Sequence, residues 1–119
     1  MVVALLTSDR LSEVEADRVF HALADTTRRD ILARAIQGEQ SVSALARRYE
    51  ISLTAVQKHV AVLERAALVN KQRSGREQRV AANAETLRKA ATLLAAFEQL
   101  WIQRATKIAE ILAEEGVGT

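Results

Sequence analysis

A chain of 119 residues, of which 49% are hydrophobic, is long enough for one domain with its own core, and we expect a single domain over residues 1–119. Aromatic residues make up only 3%, so the core must be mainly aliphatic, and a second subunit would add burial that so small a body lacks. The lack of cysteine excludes disulfides, thiolate metal sites and cysteine redox switches. The apolar opening, residues 1–6, is too short for a signal peptide or a membrane span, which favours a cytoplasmic protein.

Charge is distributed unevenly along the chain, although the formal net charge is only +2. Residues 26–79 include eleven basic and five acidic residues, a balance of +6, whereas the rest of the chain has six basic and ten acidic residues, a balance of −4. A basic middle between acidic ends is typical of a protein with a nucleic-acid-binding face. Charge alone leaves open the simpler interpretation that these residues form an ordinary solvated surface.

Two helices are predicted in the first third of the chain. Ser12, with Glu15 at the spacing of a capping box, opens the first. Asp25 caps the second, Gly38 ends it, and residues 40–42 fit a short strand. The apolar residues expected on the buried side of the first helix are Val14, Val19, Phe20 and Leu23.

The segment covering residues 42–69 carries the most information. Ser43 is placed to cap a third helix through residue 49, a turn follows, and Ser52 caps a fourth helix through about residue 66. The apolar positions of the fourth helix are Val56, Val60 and Leu63, spaced four and three apart. Two short helices joined by a tight turn, the second of them amphipathic, are how a protein offers a helix to the DNA major groove.

A basic hairpin and a long helix complete the chain. Strands over residues 68–73 and 77–82 flank a turn around Gly75. Asn83 then caps a last helix over residues 84 to about 114. The apolar stripe of this helix is too long for one small body to cover, which indicates contact with another chain.

The predicted fold class is therefore mainly α with a small β-hairpin. It is a winged helix-turn-helix whose DNA-binding core spans about residues 25–83. The two ends, about residues 12–23 and 84–114, are predicted to be dimerisation helices that pair two copies about a two-fold axis.

The segments VFHALADTTRRDIL and SVSALARRYEISLTAVQKHVAVLERAALV, together with the basic hairpin, resemble the ArsR family of bacterial winged-helix repressors over roughly residues 19–83. The resemblance implies a homodimer, paired through its first and last helices, that represses its own or neighbouring operons until an effector releases the DNA. Thr26 stands where the family usually has proline, a difference expected to cost little. Ala67 stands where the family usually has glycine, and we expect the chain to adapt rather than hold alanine at a positive φ angle.

Candidate DNA contacts lie on the fourth helix and the hairpin. A helix start rich in serine and threonine can hold a phosphate, the Gln57 amide can read adenine, and Lys58 suits a phosphate or a guanine. Arg76, beside Gly75, is the best candidate to enter the minor groove or hold a phosphate. The predicted DNA-binding residues are Ser52, Thr54, Gln57, Lys58, His59, Arg73, Arg76 and Arg79.

Several of these assignments have an alternative. Arg73 and Arg79 could lie on a solvated strand face, and His59 could pack under its helix instead of touching the DNA backbone. Arg28 and Arg29, at the start of the second helix, could pair with nearby aspartates or contact DNA. Packing within one chain is the alternative for the apolar face of the last helix. The predicted dimer-interface residues are Val14, Phe97, Leu100, Trp101, Ile108 and Ile111.

No metal, cofactor or catalytic residue is predicted. Arsenic- and cadmium-responsive members of the family carry Cys-Val-Cys where this chain has Ser41, Val42 and Ser43, and hydroxyls are poor ligands for soft metals. The other family site needs histidines on the last helix, whereas His21 and His59 lie elsewhere.

The sequence thus predicts a sequence-specific DNA-binding transcriptional regulator that represses from an inverted-repeat operator as a homodimer. Its partners would be double-stranded DNA and a second copy, with no membrane and with an effector that the sequence does not identify. The alternative function is a winged-helix dimer that binds other proteins and whose basic surface is incidental.

Overall fold

The structure, a computed structural model, describes residues 10–117, and only the backbone of residue 117. The expectation for residues 1–6 lies outside this range. The described chain forms two compact units, residues 11–88 and the helical segment from residue 89 onward. The elements are α1 (Glu13–Leu23), α2 (Thr26–Gln37), β1 (Gln40–Ser41), α3 (Val42–Tyr49), α4 (Leu53–Arg65), β2 (Val69–Ser74), β3 (Glu77–Ala82) and α5 (Ala84–Val117). Three antiparallel strands in the order β1-β3-β2 accompany the helices, so the predicted fold class is confirmed.

Three helices begin at the caps that the sequence predicts. The Ser12 hydroxyl accepts from the Glu15 amide at 3.1 Å while the Glu15 carboxylate accepts from the Ser12 amide at 2.8 Å, a complete capping box. The Asp25 carboxylate accepts from the Arg28 amide at 2.9 Å. The Ser52 hydroxyl accepts from the Ala55 amide at 3.1 Å. These side chains satisfy amides that the first turn of each helix leaves without a partner.

The predicted cap of α3 is wrong. The helix begins at Val42, and the Ser41 hydroxyl, not that of Ser43, accepts from the Ala44 amide at 3.3 Å. Ser41 is also the last residue of β1, where it pairs with Arg79. This pairing holds Ser41 in an extended conformation, φ −82° and ψ 131°, which is the backbone geometry of an N-cap.

A single aliphatic core joins the helices to the sheet within residues 11–88. Its buried side chains include Val19, Ala22, Ile31, Leu32, Ala35, Leu45, Val56, Val60, Leu63, Leu68, Val69 and Val80. The expected burial of Val14 and Phe20 on α1 is wrong, because they are 59% and 42% exposed. The buried residues of α1 are Val19 and Ala22, while Leu23 is half-buried.

The joint between α4 and β2 contains a residue with a left-handed backbone. Ala67 has φ 59°, so the expectation that the chain avoids this conformation is wrong. The Ala67 amide donates to the Glu64 carbonyl at 2.9 Å and the Leu68 amide to the Leu63 carbonyl at 3.0 Å. This is the Schellman ending of a helix, and Leu63 and Leu68 are both fully buried. The motif sets the conformation, and alanine bears the strain that glycine would avoid.

The hairpin forms the wing. β2 and β3 pair from Val69 opposite Ala82 to Ser74 opposite Glu77, which leaves a two-residue turn of Gly75 and Arg76. Gly75 has φ 62°, a conformation that glycine adopts without steric cost. After β3, the Asn83 carboxamide oxygen accepts from the Glu85 amide at 3.2 Å, which confirms it as the cap of α5.

α5 contains 34 residues, a length of about 51 Å at 1.5 Å per residue. From residue 97 to residue 116 every side chain on this helix is exposed in the single chain. Among residues 10–117, no helix combines the length and the apolar character that crossing a membrane requires.

Candidate nucleic-acid interface

α3 and α4 pack against each other as a helix-turn-helix. Glu50 ends α3 in a left-handed conformation, φ 55°, and the Ile51 amide donates to the Ala46 carbonyl at 3.3 Å. Val56 and Val60 of α4 are fully buried. The predicted contact residues Ser52, Thr54, Gln57 and Lys58 are exposed on the other side of the helix. α4 therefore presents its N-terminal half to solvent.

A polar groove connects this helix to the wing. It has a volume of about 270 Å³ and lies where the starts of α3 and α4 face the hairpin. The structure thus brings Gln57 together with Arg73 and Arg76, three residues predicted separately to contact DNA. The lining residues are Val42, Ser43, Leu53, Gln57, Arg73, Arg76 and Gln78.

Four residues of the groove are missing from the predicted DNA-binding set: Val42, Ser43, Leu53 and Gln78. Gln78 lies opposite Arg73 in the hairpin register. The turn around Gly75 fixes that register, so it was the available signal. The Gln78 amide oxygen is shielded from solvent and has no hydrogen-bond partner among the described residues. Leu53 is 47% exposed, an apolar contact point at the very start of α4.

The groove is positively charged. Of the residues described, no carboxylate lines it, and Arg73 and Arg76 make no ion pair in residues 10–117. The Arg73 guanidinium makes only a long hydrogen bond, 3.4 Å from its Nε to the Gly75 carbonyl. Lys58, on the exposed side of α4, likewise has no acidic partner within the described residues.

Arg79 differs from the other two arginines of the wing. Its Nε pairs with the Glu39 carboxylate, and its Nη1 lies 2.9 Å from Glu77 Oε2. The hydrogen bond that Arg79 donates to the Glu39 carboxylate, with a smaller contribution from Glu77, raises the pKa of Arg79 above its usual range. Two carboxylates offset its charge, so the geometry favours a structural role on the strand, which differs from both the predicted DNA contact and the alternative of a solvated strand face.

His59 faces the second helix. Its Nδ1 lies 3.5 Å from Arg28 Nη1 and 3.9 Å from Asp25 Oδ2, and its side chain is 25% exposed. A hydrogen bond from the Arg28 amide is the main cause that lowers the pKa of Asp25. These contacts agree with the interpretation that His59 packs under α4 and fixes its position on α2.

Arg28 and Arg29 hold the end of α1. Arg28 Nε donates to the Ala22 carbonyl at 2.8 Å and its Nη2 to the His21 carbonyl at 3.0 Å. Arg29 Nη1 donates to the Leu23 carbonyl at 2.7 Å. The last carbonyls of a helix lack intrahelical partners, and cations near them are favourable. The geometry favours the structural interpretation for both arginines, and their partners are helix carbonyls, whereas the sequence suggested that one of them could pair with Asp25 or Asp30.

The first helix of the helix-turn-helix is anchored by a polar cluster. The Tyr49 hydroxyl at the end of α3 donates to the Asp30 carboxylate on α2, and Arg34 Nε donates to the same oxygen at 2.9 Å. Both hydrogen bonds lower the pKa of Asp30, and the one from Tyr49 has the larger effect. Burial is the main cause that raises the pKa of Tyr49. Arg47 and Arg48, in the last turn of α3, are exposed to solvent.

A second kind of surface is apolar. Each of the predicted dimer-interface residues is between 47% and 69% exposed in the single chain, with Trp101 the most exposed. Val14 lies on α1, and the other five lie on α5: Phe97, Leu100, Trp101, Ile108 and Ile111. Leu94 and Leu112 extend the apolar face of α5. Packing within one chain, the alternative from the sequence, would bury these side chains, whereas they are exposed in the described structure.

The residues at the positions of the family's metal-binding cysteines have structural contacts in this chain. The Ser41 hydroxyl caps α3, and Ser43 lines the polar groove. Among residues 10–117, no group of three or more histidine, aspartate or glutamate side chains is arranged to hold a metal ion.

Comparison with known proteins agrees with this geometry. A family described as a helix-turn-helix domain matches residues 23–72. The HTH-type transcriptional regulator Rv2034 of Mycobacterium tuberculosis is 34% identical over 103 residues, which are 87% of this chain and 94% of that protein.

Solved structures give the same result. An ArsR-like transcriptional regulator from Rhodococcus sp. RHA1 is 37% identical with a TM-score of 0.72, over 82% of this chain and 92% of that one. A homodimeric winged helix-turn-helix DNA-binding domain from Mycobacterium bovis, a possible ArsR-family transcriptional regulator, is 28% identical with a TM-score of 0.59, over 71% of this chain and 80% of that one. The chain therefore belongs to the ArsR family of winged helix-turn-helix DNA-binding transcriptional regulators.

Proposed function

We propose that this regulator is a repressor that binds an inverted-repeat operator as a homodimer. One observation carries the proposal: Gln57 of α4 and Arg73 and Arg76 of the wing line a single polar groove, and no carboxylate among the described residues lines it. A base-reading amide beside two cations fits a DNA duplex, whose base edges lie between two rows of phosphates.

The N-terminal half of α4 would enter the major groove. Gln57 can make paired hydrogen bonds to adenine, and the exposed Leu53 can contact a thymine methyl group. Ser52 and Thr54 lie at the helix N-terminus, where the helix dipole and free amides favour a phosphate. The wing would reach the flanking DNA, with Arg76 at its tip in the minor groove or on a phosphate. We leave Arg79 and His59 out of the contacting set, because both already have partners inside the chain.

The dimer would form through the apolar faces of α1 and α5. An exposed apolar face that runs along α5 from Leu94 to Leu112 marks an interaction site, and most soluble homo-oligomers are two-fold dimers. Two recognition helices related by a two-fold axis read two half-sites of opposite direction, with centres about one helical turn of DNA apart. Repression, which the family resemblance favours, would follow from occupation of promoter DNA.

The test is an anisotropy titration with duplexes from the DNA upstream of the coding region. The three duplexes carry the inverted repeat, the repeat with one half-site scrambled, and the repeat with five extra base pairs between half-sites, about half a helical turn. We expect the intact repeat to bind about a thousandfold or more tighter than random DNA, with both altered duplexes far weaker. Equal affinity for intact and scrambled repeats would contradict operator recognition. A promoter reporter that rises, instead of falling, when the protein is expressed would contradict repression.

A further inference from the structure

A second pocket lies on the other half of α4, away from the polar groove. It has a volume of about 170 Å³ and opens between α1 and α4, where Arg18, His21, Val62 and Arg65 line it. None of these residues belongs to the proposed DNA-contacting set. We propose that this pocket binds a small organic anion, a carboxylate whose apolar body is about the size of a benzene ring.

The size of the pocket sets the size of the ligand. A cavity of about 150 Å³ lined by apolar side chains is known to hold a benzene molecule, and this pocket has about 170 Å³. Val62 supplies an apolar wall, and the methylene stems of Arg18 and Arg65 can add to it. A flat ring or a short branched chain would fill such a space.

The charge of the pocket sets the chemistry of the ligand. Two arginines and one histidine line it, and within the described residues no carboxylate does. Neither Arg18 nor Arg65 forms an ion pair inside residues 10–117. A guanidinium fork matches a carboxylate with two parallel hydrogen bonds, which are stronger than bonds between neutral groups. An anion would therefore satisfy both arginines at once.

The position of the pocket suggests what such a ligand would do. Arg18 and His21 belong to α1, whereas Val62 and Arg65 belong to the helix that carries Gln57. Arg65 lies eight residues beyond Gln57, about 12 Å along the axis of the same rigid helix. A ligand that bridges α1 and α4 would change the placement of the recognition helix. This step rests on the proposed function, and it requires the ligand to bind the DNA-competent and DNA-incompetent states with different affinity.

Binding is tested on the DNA-free chain of 119 residues, so its outcome does not depend on operator recognition. Benzoate, with benzamide as the neutral ligand of equal size, is titrated by protein-observed NMR. We expect shifts centred on Val62 and Arg65, and about tenfold weaker binding of benzamide because it lacks the charged hydrogen bonds. No saturable shift with benzoate, or equal affinity for both ligands, would overturn the proposal.

Variants locate the site. Arg18→Gln and Arg65→Gln should each weaken benzoate binding about fivefold or more, since each removes one charged hydrogen-bond donor. Lys107→Gln removes the same charge from α5, outside the pocket, and should leave the affinity unchanged; an equal loss in this control would mean general charge attraction and overturn the site. Circular dichroism checks that each variant is folded. Tighter benzoate binding to Trp101→Glu than to the parent would mean that a second copy fills the pocket, which also overturns the proposal.

The regulatory step has its own readout. Saturating benzoate should change operator affinity about fivefold or more, the lower end of ordinary coupling between two sites. By reciprocity, saturating operator DNA should change benzoate affinity by the same factor. Benzoate binding with no change in operator affinity would overturn the regulatory step alone. If the protein binds benzoate but does not distinguish the intact repeat from the scrambled one, the result counts against the proposed function alone.

Discussion

Two surfaces that differ in chemistry have no partner among residues 10–117: the groove between α4 and the wing, and the apolar face of α5. The groove between α4 and the wing exposes an amide and two guanidinium groups. The face of α5 beyond residue 96 exposes aromatic and branched aliphatic side chains instead. Exposure alone says little, because every protein exposes some apolar surface. The kind of group exposed indicates the kind of partner: a polyanion for the first surface and a second copy of the chain for the other.

The same contrast divides the basic residues. A count of charge assigns eleven of them to the middle of the chain. The structure shows that Arg28 and Arg29 hold helix carbonyls, while Arg34 and Arg79 pair with carboxylates. Arg73 and Arg76, the two basic residues that line the groove, make no ion pair among residues 10–117, so their charges remain available to a polyanion.

The largest effect is expected from a substitution on the apolar face of α5. Trp101→Glu places a charge at the most exposed apolar residue of α5, and burying that charge unpaired in a dimer would be severely unfavourable. We expect dimerisation to weaken by roughly 3 kcal/mol or more, as for a central tryptophan of an interface. Light scattering over a dilution series should report a dimer for the parent and a monomer for the variant.

A matched control separates charge from position. Gln103→Glu adds the same carboxylate two residues further along α5, on the opposite side of the helix from Trp101. It should remain a dimer. A parent protein that is monomeric at micromolar concentration would refute the apolar surface as a dimer interface.

The next largest effect is expected from a substitution in the polar groove. Gln57→Ala removes the amide proposed to read a base, so discrimination between operator and random DNA should fall by about 1–3 kcal/mol for the lost paired contact. Anisotropy titrations against both DNAs give the ratio of affinities. Gln99→Ala makes the same chemical change on α5 and should leave this ratio unaltered. An unchanged ratio for Gln57→Ala would show that its assigned role is wrong.

Two arginines of the wing allow a sharper comparison. Arg76→Ala should weaken binding to operator and random DNA alike, and should flatten the plot of log affinity against log salt by about 0.9 for one lost phosphate contact. Arg79→Ala should leave this slope unchanged, because its guanidinium is held by Glu39 and Glu77. Salt titrations of the parent and both variants make the test. Equal loss of slope would mean that Arg79 also contacts phosphate.

The sequence predicts most elements of this fold because their signals are local. Ser12, Asp25 and Ser52 cap the helices assigned to them, and Gly75 forms the turn of the wing. A cap and a tight turn depend on residues within three or four positions, which a reader of the sequence can see.

Contacts between residues that are far apart in the sequence could not be predicted in this way. Ser41 caps α3 because β1 pairs with β3, and Arg79 pairs with Glu39 across forty residues of sequence. Periodicity and composition carry no information about either contact. The groove is a similar case, since Ser43 and Gln78 join Gln57 only when the wing folds beside α3.

A substitution at Ala67 should change stability without affecting the polar groove or the apolar face of α5. Its φ of 59° costs alanine roughly 1–2 kcal/mol, whereas glycine adds about 0.4–1 kcal/mol of entropy to the unfolded chain. Ala67→Gly should therefore raise the free energy of unfolding by about 0.5–1 kcal/mol with operator affinity unaltered. Urea denaturation at a fixed protein concentration measures it. Ala33→Gly, in the exposed interior of α2, should lower stability by a similar amount, and a loss from both changes would contradict strain at Ala67.

The smallest expected effect is none at all. Arsenite, cadmium and zinc should not release this protein from DNA at either familiar family site. Arsenite has no thiolate to bond in a chain without cysteine, and zinc prefers nitrogen and sulfur ligands in tetrahedral sets. His21 lies on α1 and His59 on α4, and no set of three or more candidate ligands occurs among residues 10–117. The DNA-bound protein is titrated with each metal at micromolar concentration in chelator-free buffer, and release is followed by anisotropy. Stoichiometric release that is abolished by mutation of a defined set of ligands would contradict this prediction.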